Sequence, residues 1–309
     1  MNTRKIILDT DPGIDDAVAI AVLLKARKDK VGLILTSYGN TSIDNTTRNA
    51  AALVSILGAA DIPVVRGAAG PAPGGNGAYG DASNIHGGDG LGGMQRSLSE
   101  NLRIKEAISG DYLKIPFDLM RDEKSIDYIA LGPLTNLSSL IRKYPEAANM
   151  INQVVIMGGG IEKGNVTADA EFNIYCDAES ANHVFSTMPN IILTPLDTTT
   201  KVFFDLCDIE KIGKAGTKIA NFMASILRVN HRLCVAYGDG GAVMHDSTAV
   251  LAYLYPKLFE FRACSINVVT AKERYGKCIC GTDGSNVRIA DALDPKQLLD
   301  IILKSIINL

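Results

Sequence analysis

Continuous aliphatic runs of strand length recur along the chain, and segments with helical periodicity separate several of them. The runs are Lys5–Leu8, Val31–Ser37, Ile62–Val65, Asp127–Leu131, Gln153–Met157 and Ile191–Leu196. Helical patterning covers Asp15–Arg27, Thr46–Gly58, Leu134–Tyr144, Ala178–Ser186, Ile209–Val229 and Pro295–Leu309. Strands that are apolar on both faces need cover on both sides, and crossover helices supply it. The pattern predicts an α/β fold: one domain over residues 1–309, with a central, mostly parallel, Rossmann-like open sheet flanked by helices. Ligands of such sheets bind outside the carboxyl ends of the strands.

The balance of 47% apolar to 21% charged residues over 309 positions is that of a fully folded globular chain. A formal charge of −3, with scattered Lys and Arg, excludes the basic footprint of a nucleic-acid binder. The six cysteines, at 176, 207, 234, 264, 278 and 280, contain no C-x-x-C pair, which argues against a disulfide framework or zinc site. The first apolar run begins at Lys5, leaving no room for a signal peptide, and no apolar stretch approaches the roughly 20 residues of a membrane span. The expectation is a soluble cytoplasmic protein with no membrane partner.

Gly67–Gly93 breaks the alternation. Gly, Pro, Ala and Asn dominate it, so it reads as a long binding loop or lid. It is no P-loop, because no Gly-Lys-Ser/Thr follows its glycines.

The densest chemistry lies at Asp9-Thr10-Asp11-Pro12-Gly13-Ile14-Asp15-Asp16, four carboxylates directly after a strand. Capping of the following helix accounts for Asp15 or Asp16, and the Pro-Gly turn for Asp9 or Asp11, but not for all four. Anions so crowded raise one another's pKa unless a cation neutralises them. With no His or Cys nearby, the donor set favours Ca²⁺ or Mg²⁺ over Zn²⁺. The same rim receives Tyr38-Gly39-Asn40, Leu131 to Asn136, Met157-Gly158-Gly159 and Asp197 from later strand ends.

Asp9 to Ala17 resembles the signature of the inosine–uridine nucleoside hydrolase family. Further matching segments follow in the family's order: Gly39-Asn40, Ile85-His86-Gly87, Leu131 to Asn136, Met157-Gly158-Gly159, Ala170-Glu171-Phe172-Asn173 and His245-Asp246. The resemblance spans nearly the whole chain and implies a nucleoside hydrolase domain serving nucleoside salvage. It implies one Ca²⁺ held by Asp11, Asp16, the main-chain carbonyl of Leu131 and Asp246. A water acidified by the ion gives its proton to Asp11 while attacking the anomeric carbon, through an oxocarbenium-like transition state. Asp15, Asn40, Asn165, Glu171 and Asn173 match ribose-binding positions, with Met157 and Phe172 packing around the sugar. His245 is the expected donor to the leaving base, and His86 a second base contact. Asp9 is left as support for its neighbours, and His183 as a packing or surface residue. A homodimer or homotetramer is implied as well.

The match fades between Arg228 and Met244, where family members often carry several tyrosines and this chain keeps Tyr237. Tyr237 or His231 could contact the base, although a solvated turn explains them equally, so purine or pyrimidine preference stays open. Two other readings compete. Ile7-Leu8-Asp9-Thr10-Asp11 also resembles the nucleophile motif of Mg²⁺-dependent aspartate-based phosphohydrolases, with Asp9 as nucleophile. Outside catalysis, the chain could be a Ca²⁺-dependent nucleoside- or ribose-binding protein.

Overall fold

The computed structural model describes residues 4–73, 82–99, 104–282 and 284–309. Eleven strands are present: β1 (Lys5–Thr10), β2 (Val31–Thr36), β3 (Val64–Arg66), β4 (Ile126–Ala130), β5 (Ile151–Met157), β6 (Ile191–Thr194), β7 (Phe203–Phe204), β8 (Ala242–Val243), β9 (Phe259–Val268), β10 (Cys278–Gly281) and β11 (Val287–Leu293). Nine form one sheet in the order β10-β9-β11-β6-β5-β4-β1-β2-β3, and β7 pairs with β8 apart from it. From β3 to β11 every pairing in the sheet is parallel; β9 alone runs against its neighbours.

The two faces of β1 show why the sheet needs two layers of helices. Ile6 and Leu8 join a core with helices Ile14–Arg27, Lys218–Ala236, His245–Leu254 and Pro295–Ile307. Ile7 joins the opposite core, with Leu137, Leu140 and Val184 from helices Thr135–Lys143 and Ala178–Thr187. Helix Ile14–Arg27 is buried from Ile14 to Leu24, including both of its acidic residues. A helix with so little polar face lies inside the molecule rather than on it.

Several boundaries differ from the sequence expectation for local reasons. The strand read as Ile191–Leu196 stops at Thr194, because Pro195 has no N–H for the ladder and Leu196–Thr199 coils into a helical turn. The helix read as Ile209–Val229 is two helices, Leu206–Lys214 and Lys218–Ala236. Gly216 turns the chain at φ +74°, and Thr217 caps the second helix by accepting the Ala220 N–H at 3.0 Å. That second helix runs on through much of the segment expected to be turn-rich. Strands β9 to β11 were absent from the expected set, since β9 alternates exposed and buried residues instead of presenting an aliphatic run. Of the glycine-rich loop Gly67–Gly93, residues 74–81 lie outside the described residues and Ser83–His86 is a short helical segment; another, Gln95–Ser99, follows the loop.

Candidate functional site

The central strands end together on one rim. Leu131 N–H donates to the Asp9 carbonyl at 2.8 Å and Ser37 N–H to the Thr10 carbonyl at 3.1 Å, so β1 hands its last residues directly to the loops after β4 and β2. Asp11 follows at once. Its Oδ2 accepts the Asn40 N–H at 2.7 Å, and Asn40 Nδ2 donates to the Asp11 carbonyl at 3.1 Å. A Cβ on Gly39 would lie 2.0 Å from Asp11 Oδ2, and one on Gly132 would lie 2.6 Å from Oδ1. Only glycine fits on either side of this carboxylate. Oδ1 itself is buried and has no hydrogen-bond partner among the described residues.

Asp16 is fixed from three directions. Thr10 Oγ1 donates to its Oδ1, while Gly13 N–H and Asn40 Nδ2 each donate to Oδ2 at 2.9 Å. The Gly13 contact caps the buried helix, so the capping expectation holds for Asp16. Asp246 enters from the first turn of His245–Leu254, and one oxygen each of Asp15, Asp16 and Asp246 lie within 4.8 Å of one another. Burial pushes the Asp11 and Asp246 carboxyls well above the usual range, and neighbouring carboxylates push them further. Asp15 is pushed up to about 6, chiefly by burial. Four crowded acids, an orphaned buried carboxylate oxygen and no lysine or arginine bonded to any of them make a donor set suited to a hard divalent cation. Asp15, assigned to ribose from the sequence, is geometrically part of this cluster, whereas Asp11 stands beside it.

Above the carboxylates opens a cavity of about 640 Å³, within the range of roughly 300–1,000 Å³ common for small-molecule sites. Asp15, Asn40, His86, Leu131, Met157, Asn165, Glu171, Phe172, Asn173, Tyr237, His245 and Asp246 all line it; Asp11 and Asp16 lie beneath its surface. A second cleft, of about 450 Å³ near Arg66 and Tyr112, has neither carboxylate nor histidine in its lining among the described residues.

The polar residues of the wall divide by what already occupies them. Both Glu171 oxygens accept main-chain N–H groups, from Gly159 at 2.8 Å, Asn173 at 3.0 Å and Ile174 at 3.2 Å. This carboxylate caps Phe172–Cys176 and shapes the cavity at the same time. Asn165 Oδ1 accepts the Phe172 N–H at 2.9 Å. Asn173 Nδ2 donates to the Leu131 and Met157 carbonyls at 2.7 and 3.2 Å, aligning both at the floor.

Two histidines line the cavity, His86 buried and His245 half-buried. Ile14 N–H donates to His86 Nδ1 at 3.1 Å, which requires that nitrogen to be bare. His245 Nδ1 lies 2.7 Å from Thr199 Oγ1, leaving Nε2 to meet a ligand. Burial pushes both imidazoles down to about 4, so each is neutral at pH 7. Burial works against a proton on His245, because a charged ring there loses its hydration.

Asp9 is buried with both oxygens bonded, Oδ1 to Asn136 Nδ2 and Oδ2 to the Tyr128 hydroxyl, each at 2.8 Å. A carboxylate so enclosed supports its neighbours and cannot serve as the nucleophile of a phosphohydrolase. His183 Nδ1 contacts Ser138 Oγ at 3.1 Å, far from the cavity lining, and His231 does not line it either. Asp197 accepts the N–H groups of Ile161 and Glu162 at 2.7 and 3.0 Å instead of facing the cavity. Sequence reasoning missed Asn84, Lys163, Thr200, Asn230, Cys234 and Asp239 in the lining. The one available signal was Asn230 and Cys234, one helical turn apart on the inward face of Lys218–Ala236.

The sequence profile of the inosine-uridine preferring nucleoside hydrolase family matches residues 6–300. Non-specific ribonucleoside hydrolases RihC of Shigella boydii and Escherichia coli are 36% identical to the chain over 307 residues, covering 94% of each partner. Among solved structures, a purine-preferring ribonucleoside hydrolase from Gardnerella vaginalis superposes with a TM-score of 0.90 at 24% identity, over 99% of this chain and 98% of that one. A plant nucleoside hydrolase does so with a TM-score of 0.87 at 27% identity, over 99% of both. The carboxylate-floored cavity at the strand ends thus belongs to an N-glycosyl hydrolase, and the chain is a member of the inosine-uridine preferring nucleoside hydrolase family.

Proposed function

We propose that the protein hydrolyses the N-ribosidic bond of ribonucleosides in a Ca²⁺-dependent reaction, releasing free base and ribose. The observation that carries this reading is the set of four buried carboxylates under one end of a cavity whose wall holds His86 and His245. Asp11, Asp16, Asp246 and the Leu131 carbonyl are the proposed cation ligands, with Asp15 close enough to share the ion or to meet a ribose hydroxyl. Oxygen donors drawn from carboxylates and main chain suit the large, flexible shell of Ca²⁺ better than the strict octahedron of Mg²⁺. Bound there, the cation would acidify a water and anchor the ribose hydroxyls.

The protein's own groups do the rest. Asp11, with one oxygen held by Asn40 and the other unpartnered, takes the proton of the attacking water. As the water oxygen bonds to the anomeric carbon, the bond to the base nitrogen breaks and its electron pair leaves with the base. Positive charge developing on the sugar is stabilised by Asp15 and by the carbonyls that Asn173 aligns. His245 supplies a hydrogen to the base; the negative charge growing there favours the protonated ring that burial otherwise disfavours. His86, locked with its proton on Nε2, is the second donor to the base.

The same reading places the protein in nucleoside salvage, in the cytoplasm, as a homodimer or homotetramer. Among the described residues no helix is long and apolar enough to cross a membrane. The deciding experiment incubates the purified protein with inosine, uridine, cytidine and adenosine, with and without a chelator, and measures reducing ribose. Release that stops on chelation and returns with Ca²⁺ is expected. Nucleoside binding without free base would point instead to a binding protein.

A further inference from the structure

Four successive residues of the cavity wall, Lys163 to Val166, come from the loop that follows β5. The N–H groups of Asn165 and Val166 both donate to the Ala170 carbonyl, at 3.1 and 3.2 Å, so Asn165 is held from the end of its own loop. That end is fastened to the hairpin between β9 and β10. Ala170 pairs with Lys277 in an antiparallel bridge, and a Cβ on Gly276, which has φ +83°, would lie 3.0 Å from the Ala170 methyl. Beside the bridge, Asp169 Oδ1 accepts from Lys277 Nζ at 2.7 Å and from Arg274 Nη2 at 3.3 Å, and Oδ2 accepts from Arg274 Nε at 3.2 Å. Among the described residues, none of the three has another ion pair. The two cations hold the Asp169 carboxyl down at about 2, so it is ionised at neutral pH.

We infer that Asp169, Arg274 and Lys277 form an electrostatic clamp that positions Asn165 for the ribose, so that a hairpin outside the cavity sets how tightly the sugar is held. This rests on the proposed reaction, in which Asn165 meets the ribose. None of the three lines the cavity, so they are positioning residues that act through the Ala170 carbonyl. A single exposed ion pair contributes little, but here a guanidinium grips both oxygens of one carboxylate and an ammonium adds to it. Without the clamp the loop must be ordered by the ligand itself, which costs affinity rather than the rate of bond breaking.

The test compares the wild type with Asp169→Ala, the double variant Arg274→Met/Lys277→Met, and the triple variant that combines them. At saturating Ca²⁺, Asp169→Ala is expected to raise KM for inosine and uridine about five-fold while kcat changes by less than about two-fold. The triple variant should be no worse than Asp169→Ala, because all three side chains act as one unit. Both nucleosides are uncharged at neutral pH, so added salt should raise the wild-type KM toward that of Asp169→Ala and leave the variant's unmoved. Amide exchange read by mass spectrometry should quicken over residues 160–170 in Asp169→Ala and stay as it was elsewhere. An unchanged KM, a rise in KM without faster exchange in that loop, or additive losses in the triple variant would each overturn the clamp. If the wild type releases base from neither nucleoside, the hydrolase reading fails. Loop exchange and equilibrium binding of the same nucleosides then still decide the clamp, since Asp169→Ala should weaken that binding about five-fold.

Discussion

The main-chain N–H of Ile14 donates to Nδ1 of His86 at 3.1 Å, joining the first turn of the buried N-terminal helix to the glycine-rich segment. A main-chain amide can only donate, so the neutral ring carries its proton on Nε2. His86→Ala removes a fixed donor and leaves a buried amide unpaired. Steady-state kinetics should show kcat/KM for nucleosides falling about ten- to a hundred-fold.

Asp11 and His245 should separate when each is removed. Asp11→Ala is expected to lower kcat by about a thousand-fold or more and to weaken Ca²⁺ binding in calorimetric titration. His245→Ala should lower kcat by about a hundred-fold while Ca²⁺ affinity changes far less. On a riboside of 4-nitrophenol, whose leaving group departs without a proton, the His245→Ala loss should shrink. Near-full activity in Asp11→Ala would remove it as the base.

Stability should depend on pH in a way that Ca²⁺ reverses. Carboxyls raised in the folded state, Asp15 to about 6 and Asp9 to about 7, bind more protons folded than unfolded. Their contribution is present below the unfolded pKa near 4 and is lost as pH rises through 6 and 7. The histidines, lowered to about 4, act oppositely between there and their ordinary value of 6.5, so the decline attributable to carboxyls stands clear above that value. Because Ca²⁺ competes with protons for the cluster, the rise in Tm that it produces should be larger at pH 8 than at pH 5.5. A Tm increment independent of pH would count against the cluster as the binding site.

The Asn136 side chain binds three neighbours at once. Its Nδ2 donates to Asp9 Oδ1 at 2.8 Å and to the Thr36 carbonyl at 3.1 Å, its Oδ1 accepts the Ala68 N–H at 2.9 Å, and its main chain opens the helix after β4. Asn136→Ala strands a buried carboxylate oxygen and a buried amide, for an expected loss of about 3 kcal/mol in urea unfolding.

How much of this was legible in the sequence depended on which atoms carry the role. The parallel core could be read because Ile6, Ile7 and Leu8 are apolar on both faces, whereas β9, between β10 and β11, could not, since its Glu260, Arg262 and Asn267 are exposed. The aspartates announced themselves by crowding, and the family resemblance placed Leu131, Asn165 and Asn173 at the cavity. Lys163 and Asp239 gave no such sign: each is an ordinary charged residue outside any run or motif, and only the fold brings both to the lining of one cavity. The full use of Glu171 by main-chain N–H groups was equally invisible, because capping depends on where the amides point.

Gly39 and Gly132 leave open the space that the Asp11 carboxylate fills, so the group proposed to take the proton lies directly against main chain on both sides. A methyl group at position 39 or 132 would meet that carboxylate before any other group, so a change at either glycine is felt at the cavity floor first.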